Sequence, residues 1–177
     1  MRMRRWVGGL AVMGLLFALA GCSGRGAKLP VSAPPRNPVV SPSTTCPPGV
    51  TPVHLRLVQV SQISVIVYNG TSRPGLGETV AGELASRRMK VAAVRSANNG
   101  AYPQTIIRFG PESAGAAWLL RAFFPDARSE FDAGRKGVEV DVILGASFRN
   151  VPTATEVNQA VASNGAPVAP PGTCPVD

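Results

Sequence analysis

Residues 63–89 read ISVIVYNGTSRPGLGETVAGELASRRM, and this stretch decides the class of fold. Ile63, Val65 and Val67 alternate with Ile66 and Tyr68, so both faces of a short extended run carry apolar weight, as in an interior strand. Asn69 to Ser72 supply turn chemistry. The spacing then predicts a helix with Pro74 at its first position and Ser72 or Arg73 as its cap. Leu76, Val80 and Leu84 recur on one helical face beside Ala81 and Ala85. Glu78 falls in the first turn and Arg87 and Arg88 in the last, in keeping with the helix dipole. The stretch holds no reactive side chain.

Reading outward, Lys90 to Arg95 is a second strand and Ser96 to Gly100 a loop. Gln104 to Phe109 is a third strand, with Ile107 and Phe109 on one face and Ile106 on the other. Gly110-Pro111 starts a second helix, in which Ala116, Leu119, Leu120 and Phe123 form a core-facing stripe, and Pro125 stops it. Val138, Val140, Val142 and Leu144 alternate with Glu139 and Asp141, giving a last strand with one wet face. Val53 to Gln59 is a candidate extra edge strand. The order β-α-β-β-α-β predicts an α/β (α+β) fold, a two-layer sandwich over residues 53–151. A ferredoxin-like arrangement comes first, with another mixed sheet of the same element order as the alternative.

The flanks differ in kind. Residues 1–21 read as a lipoprotein signal peptide: Arg2, Arg4 and Arg5 precede the apolar run Val7 to Ala20, which is short for a membrane span. Leu19-Ala20-Gly21-Cys22 resembles a bacterial lipobox, which makes Cys22 the expected lipidation site; an uncleaved signal anchor is the alternative. Either way the body is expected at the outer face of the cytoplasmic membrane. Residues 22–52 form a tether, with eight prolines between Ser23 and Pro52. An extended tether of that length reaches roughly 90 Å. Residues 152–177 read as a Pro/Gly-rich tail, with one or two frayed helical turns over 153–162. Both flanks are expected to be disordered. The chain carries 18 Lys and Arg against 10 Asp and Glu, a net +8. Three of those arginines and no acidic residue lie in the signal, so the remainder stands at +5. That charge suits anionic headgroups or wall polymers as well as a plain solvated surface. Nucleic acid is not an expected partner, because the basic residues are dispersed without aromatic interleaving.

Few residues offer chemistry. Gly70 to Gly77 lacks the Lys-Ser/Thr of a phosphate loop, though a helix N-terminus beside Arg73 could hold an anion weakly. His54 is the lone histidine and precedes the core. Glu139 and Asp141 read as exposed carboxylates on a wet sheet face, with Asp132 near them. The inventory predicts no metal, no cofactor and no enzymatic turnover. With Cys22 lipidated, Cys46 and Cys174 remain, one in each proline-rich flank. In an exported protein this pair reads as a disulfide closing a loop around the domain, the alternative being two free thiols.

The series Ile63 to Thr71, Gly75-Leu76, Tyr102, Thr105-Ile106-Ile107, Ala114 to Phe123 and Leu144-Gly145-Ala146-Ser147-Phe148 resembles the LytR C-terminal domain family. Gly77 departs from its pattern, standing where alanine is usual. With the flanking cysteines, the chain is further similar to actinobacterial cell-envelope integrity (Cei-type) proteins. The catalytic domain that accompanies this one in glycopolymer transferases is not expected here. The resemblance implies an accessory role in envelope integrity, by binding a wall polymer or an envelope protein. The alternative is a module for a polyprenyl-phosphate or another anionic lipid-linked ligand, for which Arg73, Arg95 and Arg108 are the candidate anion-binding residues.

Overall fold

The computed structural model describes residues 45–97 and 102–176. The predicted signal peptide, Cys22, most of the tether and the loop residues Asn98 to Gly100 lie outside the described residues. In chain order the elements are β1 (Thr51–Val53), β2 (Ser64–Asn69), α1 (Leu76–Ser86), β3 (Lys90–Ser96), β4 (Ile106–Phe109), α2 (Ala114–Leu120), β5 (Arg128–Phe131), β6 (Glu139–Leu144), α3 (Ala154–Ser163) and β7 (Thr173–Pro175).

The opening stretch folds as its pattern requires, with one correction at the helix start. Ile63, Val65 and Val67 are fully buried, and Val80, Ala81 and Leu84 of α1 are buried in the same core cluster. The helix begins at Leu76, not Pro74, and its N-cap is Gly75 at φ 72°. A left-handed residue at that point suits glycine, and it displaces Ser72 and Arg73 from the capping role. The turn before it is organised by Asn69. Its Oδ1 accepts from the Thr71 amide at 3.0 Å and hydroxyl at 2.7 Å, and its Nδ2 donates to the Arg73 carbonyl at 2.7 Å. Arg87 and Arg88 lie just past the last turn. Met89 N donates to Leu84 O at 3.1 Å and Arg88 N to Ala85 O at 2.9 Å, a Schellman ending with the buried pair Leu84 and Met89 beneath it. Arg88 occupies the left-handed position of that motif, at φ 71°.

Five strands form the main sheet, in the order β3-β2-β6-β4-β5. β3 and β6 flank β2 in parallel, β4 runs antiparallel to β6, and β5 is parallel to β4. The two-layer sandwich is as expected, but the strand order is not ferredoxin-like. In that arrangement another strand separates the two strands of each β-α-β unit, whereas here β2 and β3, and β4 and β5, are direct neighbours. The difference turns on β5, a strand the pattern did not reveal. It gives α2 a crossover partner and leaves β6 to return to the centre. β6 is buried on both faces from Val140 onward, as a central strand must be.

All three helices contribute to one core on one face of the sheet. Val65, Val67, Ile107, Val140, Val142 and Leu144 pack with Leu84, Leu120, Phe124 and Val157. Each such fully buried aliphatic side chain contributes roughly 1.5–3 kcal/mol. The other face presents Ser64, Ile66 and Tyr68 from β2, Glu139, Asp141 and Ile143 from β6, and Ile106 and Arg108 from β4.

The C-terminal flank is structured through residue 176. α3 starts at a capping box, with Thr153 N donating to the Glu156 carboxylate at 2.7 Å and Glu156 N to the Thr153 hydroxyl at 3.4 Å. Hydrogen bonds from Thr153, the side-chain one first, hold the Glu156 carboxyl below the usual glutamate range. Arg87 reaches across to donate to the Pro152 carbonyl at 2.5 Å and lies over the Phe123 ring. β7 then pairs with β1 in a separate two-stranded parallel sheet, and Cys46 and Cys174 are joined, with their Cα atoms 5.9 Å apart. The bond closes a loop of 128 residues, for which chain entropy allows about 5 kcal/mol of stabilisation. The extra edge strand expected over 53–59 does not form: only Val53 belongs to a strand, β1 of the small sheet, and Leu57 is exposed.

Candidate functional site

The sheet face without helices is partly covered by loops and gathers an ion pair, two tyrosines and a groove. A groove of about 240 Å³ runs across it, lined by Tyr68, Ser96, Ala97, Tyr102, Arg108, Asp141 and Ile143. Asp141 was expected to be exposed and is instead 5 % exposed. Its two carboxylate oxygens accept from Arg135 Nη1 at 2.8 Å and Nη2 at 2.6 Å, a two-pronged ion pair. Arg135 comes from the turn before β6. Hydrogen bonding to Asp141 raises its pKa above the ordinary arginine value, with the charges of Asp141, Tyr68 and Asp132 adding and burial opposing. The Arg135 guanidinium therefore stays charged, and its bonds to Asp141 fix a polar floor between Tyr68 and Arg108. Glu139, one register step away, remains exposed, so the two carboxylates do not act as a pair.

Tyr102 is set by close backbone packing. A Cβ on Gly70 would stand 2.6 Å from the Tyr102 ring and 2.7 Å from the Leu144 carbonyl oxygen. Around it, Gly70 N donates to Leu144 O at 3.0 Å, Tyr102 N to Gly70 O at 3.0 Å and Ala146 N to Tyr102 O at 2.7 Å. Thr105 contributes its hydroxyl, which accepts from Gly145 N at 3.2 Å. The Asn-Gly-Thr, Tyr, Thr-x-Ile and Leu-Gly segments, far apart in the chain, thus meet at one end of the sheet. Their shared work is to knit three backbone segments together.

Residues 62–148 match the family described as LytR cell envelope-related transcriptional attenuator. They form a LytR C-terminal domain. The chain is also similar to the soluble domain of a conserved hypothetical secreted protein, an Rv2700 ortholog, from Mycobacterium marinum. The two share 25% identity over 73% of this chain and 83% of that one, with a TM-score of 0.49. None of the curated proteins matches the chain.

Within the LytR C-terminal domain the three candidate anion-binding arginines do not converge. Arg73 donates to the Phe148 carbonyl at 2.6 Å and lies over the Phe148 ring, beside Arg149 at the end of the sheet. Arg108 is paired with Glu130 at 3.1 Å. Arg95, opposite Tyr68 on β3, shares the uncovered face with Arg108 but stands three strands away, roughly 14 Å. His54 lines a different cleft with Arg56, Glu112, Ser113 and Val138. The Ser113 hydroxyl there is buried and exchanges hydrogen bonds with the Gly110 backbone, so it serves the turn into α2. Among the described residues, no group of three or more His, Cys, Asp and Glu could hold a metal. Nor is any described helix long and apolar enough to cross a membrane.

The sequence reading overlooked Arg135, Tyr68 and Tyr102 as site residues. One signal for Asp141 was present. Ile143 lies on the same face two residues on, and an apolar residue there marks that face as partly covered.

Proposed function

We propose that the protein is a lipid-anchored, non-catalytic accessory of the cell envelope, held at the outer membrane face by Cys22, and that its uncovered sheet face binds a wall glycopolymer. The observation that carries this reading is the groove over Tyr68, Tyr102, Arg108 and the Arg135–Asp141 pair. Tyrosine rings offer flat apolar surface to the C–H faces of sugars, while their hydroxyls and the arginine N–H groups bond to ring substituents. Lys90 and Arg95 on β3 add positive charge at the margin of the same face, which draws an anionic polymer and makes binding weaken with salt. The tether allows such a domain to work at a distance from its anchor. An extracytoplasmic address is further supported by the family description and by the Cys46–Cys174 bond.

The test is co-sedimentation of the purified protein with isolated wall polymer. Tyr68 is the residue to change, because Tyr102 is committed to the Gly70 junction. Tyr68→Ala and Arg108→Ala are expected to weaken binding several-fold each while remaining folded. Undiminished binding by a folded Tyr68→Ala, Arg108→Ala double variant refutes the assignment of this face.

A further inference from the structure

The C-terminal segment crosses the helix side of the sheet, away from the groove over Tyr68. After α3 the chain turns at Gly165, φ 68°, runs from Ala166 to Pro171 with prolines at 167, 170 and 171, and turns again at Gly172, φ 75°, into β7. A stiff stretch thus lies between two positions that glycine adopts without strain. Its residues 168–171 form one wall of an apolar groove of about 430 Å³, against Phe109, Trp118 and Phe131. Trp118 is 8 % exposed with that wall in place.

The hold on this wall is slight apart from one bond. None of residues 158–176 is buried, and beyond α3 only Ala169 among the described residues packs against the core. The main chain is held by β7, three residues paired with β1, and by Val176 N donating to Val53 O at 3.2 Å. Pro52 and Pro175 bring no N–H to that ladder, and two strands alone are marginal in water. β1 itself is fixed to the body, with Val53 fully buried and His54 N donating to Pro111 O at 2.9 Å. The Cys46–Cys174 bond is the covalent tie between the two, and it lies near the surface. Both cysteines are half-buried, and Thr45 and Pro47 to Gly49 beside Cys46 are exposed. The main core is built elsewhere: apart from Val53, its buried residues all lie between Ile63 and Val157.

We propose that the Cys46–Cys174 bond is a redox latch, whose reduction by a dithiol frees residues 165–176 and uncovers the groove over Trp118 while the five-stranded sheet stays folded. One thiolate of the dithiol attacks a sulfur of the bond and forms a mixed disulfide. Its second thiol then displaces the protein sulfur, so the dithiol is oxidised to its own disulfide. Two electrons and two protons pass to Cys46 and Cys174, which become thiols. Without the bond, the segment keeps only the short ladder to β1 and the contact of Ala169. Its departure removes the wall formed by residues 168–171 and opens the apolar side chains of Phe109, Trp118 and Phe131 to water.

The experiment uses the full chain with Trp6→Phe, so that Trp118 is its one tryptophan, before and after reduction with dithiothreitol. Acrylamide quenching reads Trp118, and residue-resolved amide exchange reads β7 and the sheet. Reduction is expected to raise the quenching of Trp118 about threefold or more and to speed exchange at Cys174 and Val176 by about tenfold or more, while β2 and β6 keep their protection. Reoxidation is expected to restore both readings. The double change Cys46→Ser, Cys174→Ser is expected to behave as the reduced protein does with no reductant present; if it fails to fold, reduction and reoxidation of the native cysteines make the same test. Unchanged quenching of Trp118 in fully reduced protein overturns the inference, because the segment then stays in place without the bond. Loss of protection in β2 and β6 together with β7 also overturns it, because the bond is then a staple of the whole fold and not a latch.

Discussion

Gly145 tests whether the junction beneath the site is as tight as its geometry implies. A Cβ at this position would stand 2.2 Å from the Gln104 carbonyl carbon, 2.4 Å from its oxygen and 2.6 Å from Thr105 N. All three are backbone atoms, so no rotamer change relieves the contact. The φ of Gly145 is not in the left-handed region, and the requirement for glycine is therefore one of space. Ordinary contact demands a separation of more than 1 Å between the loop after β6 and the segment entering β4. The same displacement stretches the buried bond from Gly145 N to the Thr105 hydroxyl and the bonds from Ala146 N to Tyr102 O and Ser147 N to Pro103 O. Overpacking costs roughly 1–3 kcal/mol. A buried hydrogen bond left unmade costs roughly 1–3 kcal/mol more. Gly145→Ala is thus expected to destabilise the oxidised protein by roughly 2–6 kcal/mol, lowering the melting temperature by roughly 10–20 °C at the middle of that range for a domain of this size. Gly82 is the matched control. It lies inside α1 with nothing within 4 Å of a built Cβ, so Gly82→Ala is expected to stabilise by about 0.5–1 kcal/mol. Urea and thermal unfolding followed by circular dichroism read both. A Gly145→Ala protein within about 1 kcal/mol of wild type would refute the reasoning.

Two further predictions concern stability. Asp141→Ala leaves the Arg135 guanidinium, 20% exposed, without its counter-charge and is expected to cost about 3 kcal/mol; the double change with Arg135→Met is expected to recover most of that loss in urea unfolding. Arg88 holds a left-handed conformation at φ 71° in the Schellman ending of α1, so Arg88→Gly is expected to raise stability by about 1 kcal/mol, whereas Arg88→Val lowers it, in the same assay.

How much was legible in the sequence depended on the range over which each feature is determined. β2, α1, α2 and the buried strand β6 were readable because a local period of two or four residues encodes which face is covered. The pairing of Cys46 with Cys174 was readable because, with Cys22 read as a lipidation site, the other two cysteines stand one in each flank of the domain. β5 was not, since Arg128-Ser129-Glu130-Phe131 holds one large apolar residue and owes its strand character to pairing with β4. α3 was readable only as one or two frayed turns over 153–162, and β7 was not readable, since their composition is that of a tail and their order rests on Val157 entering the core and on pairing with β1. Strand order and the burial of Asp141 are set by contacts between segments distant in the chain. Asp141 became an interior residue when the turn before β6 folded Arg135 back over it, 6 residues away. The sequence by itself determined β2, α1, α2 and β6, the family and the cysteine staple, because each is written in local pattern or residue count. Only the tertiary structure decided which strands adjoin, which sheet face stays open and which arginines are already engaged, because those depend on which parts of the chain close on one another.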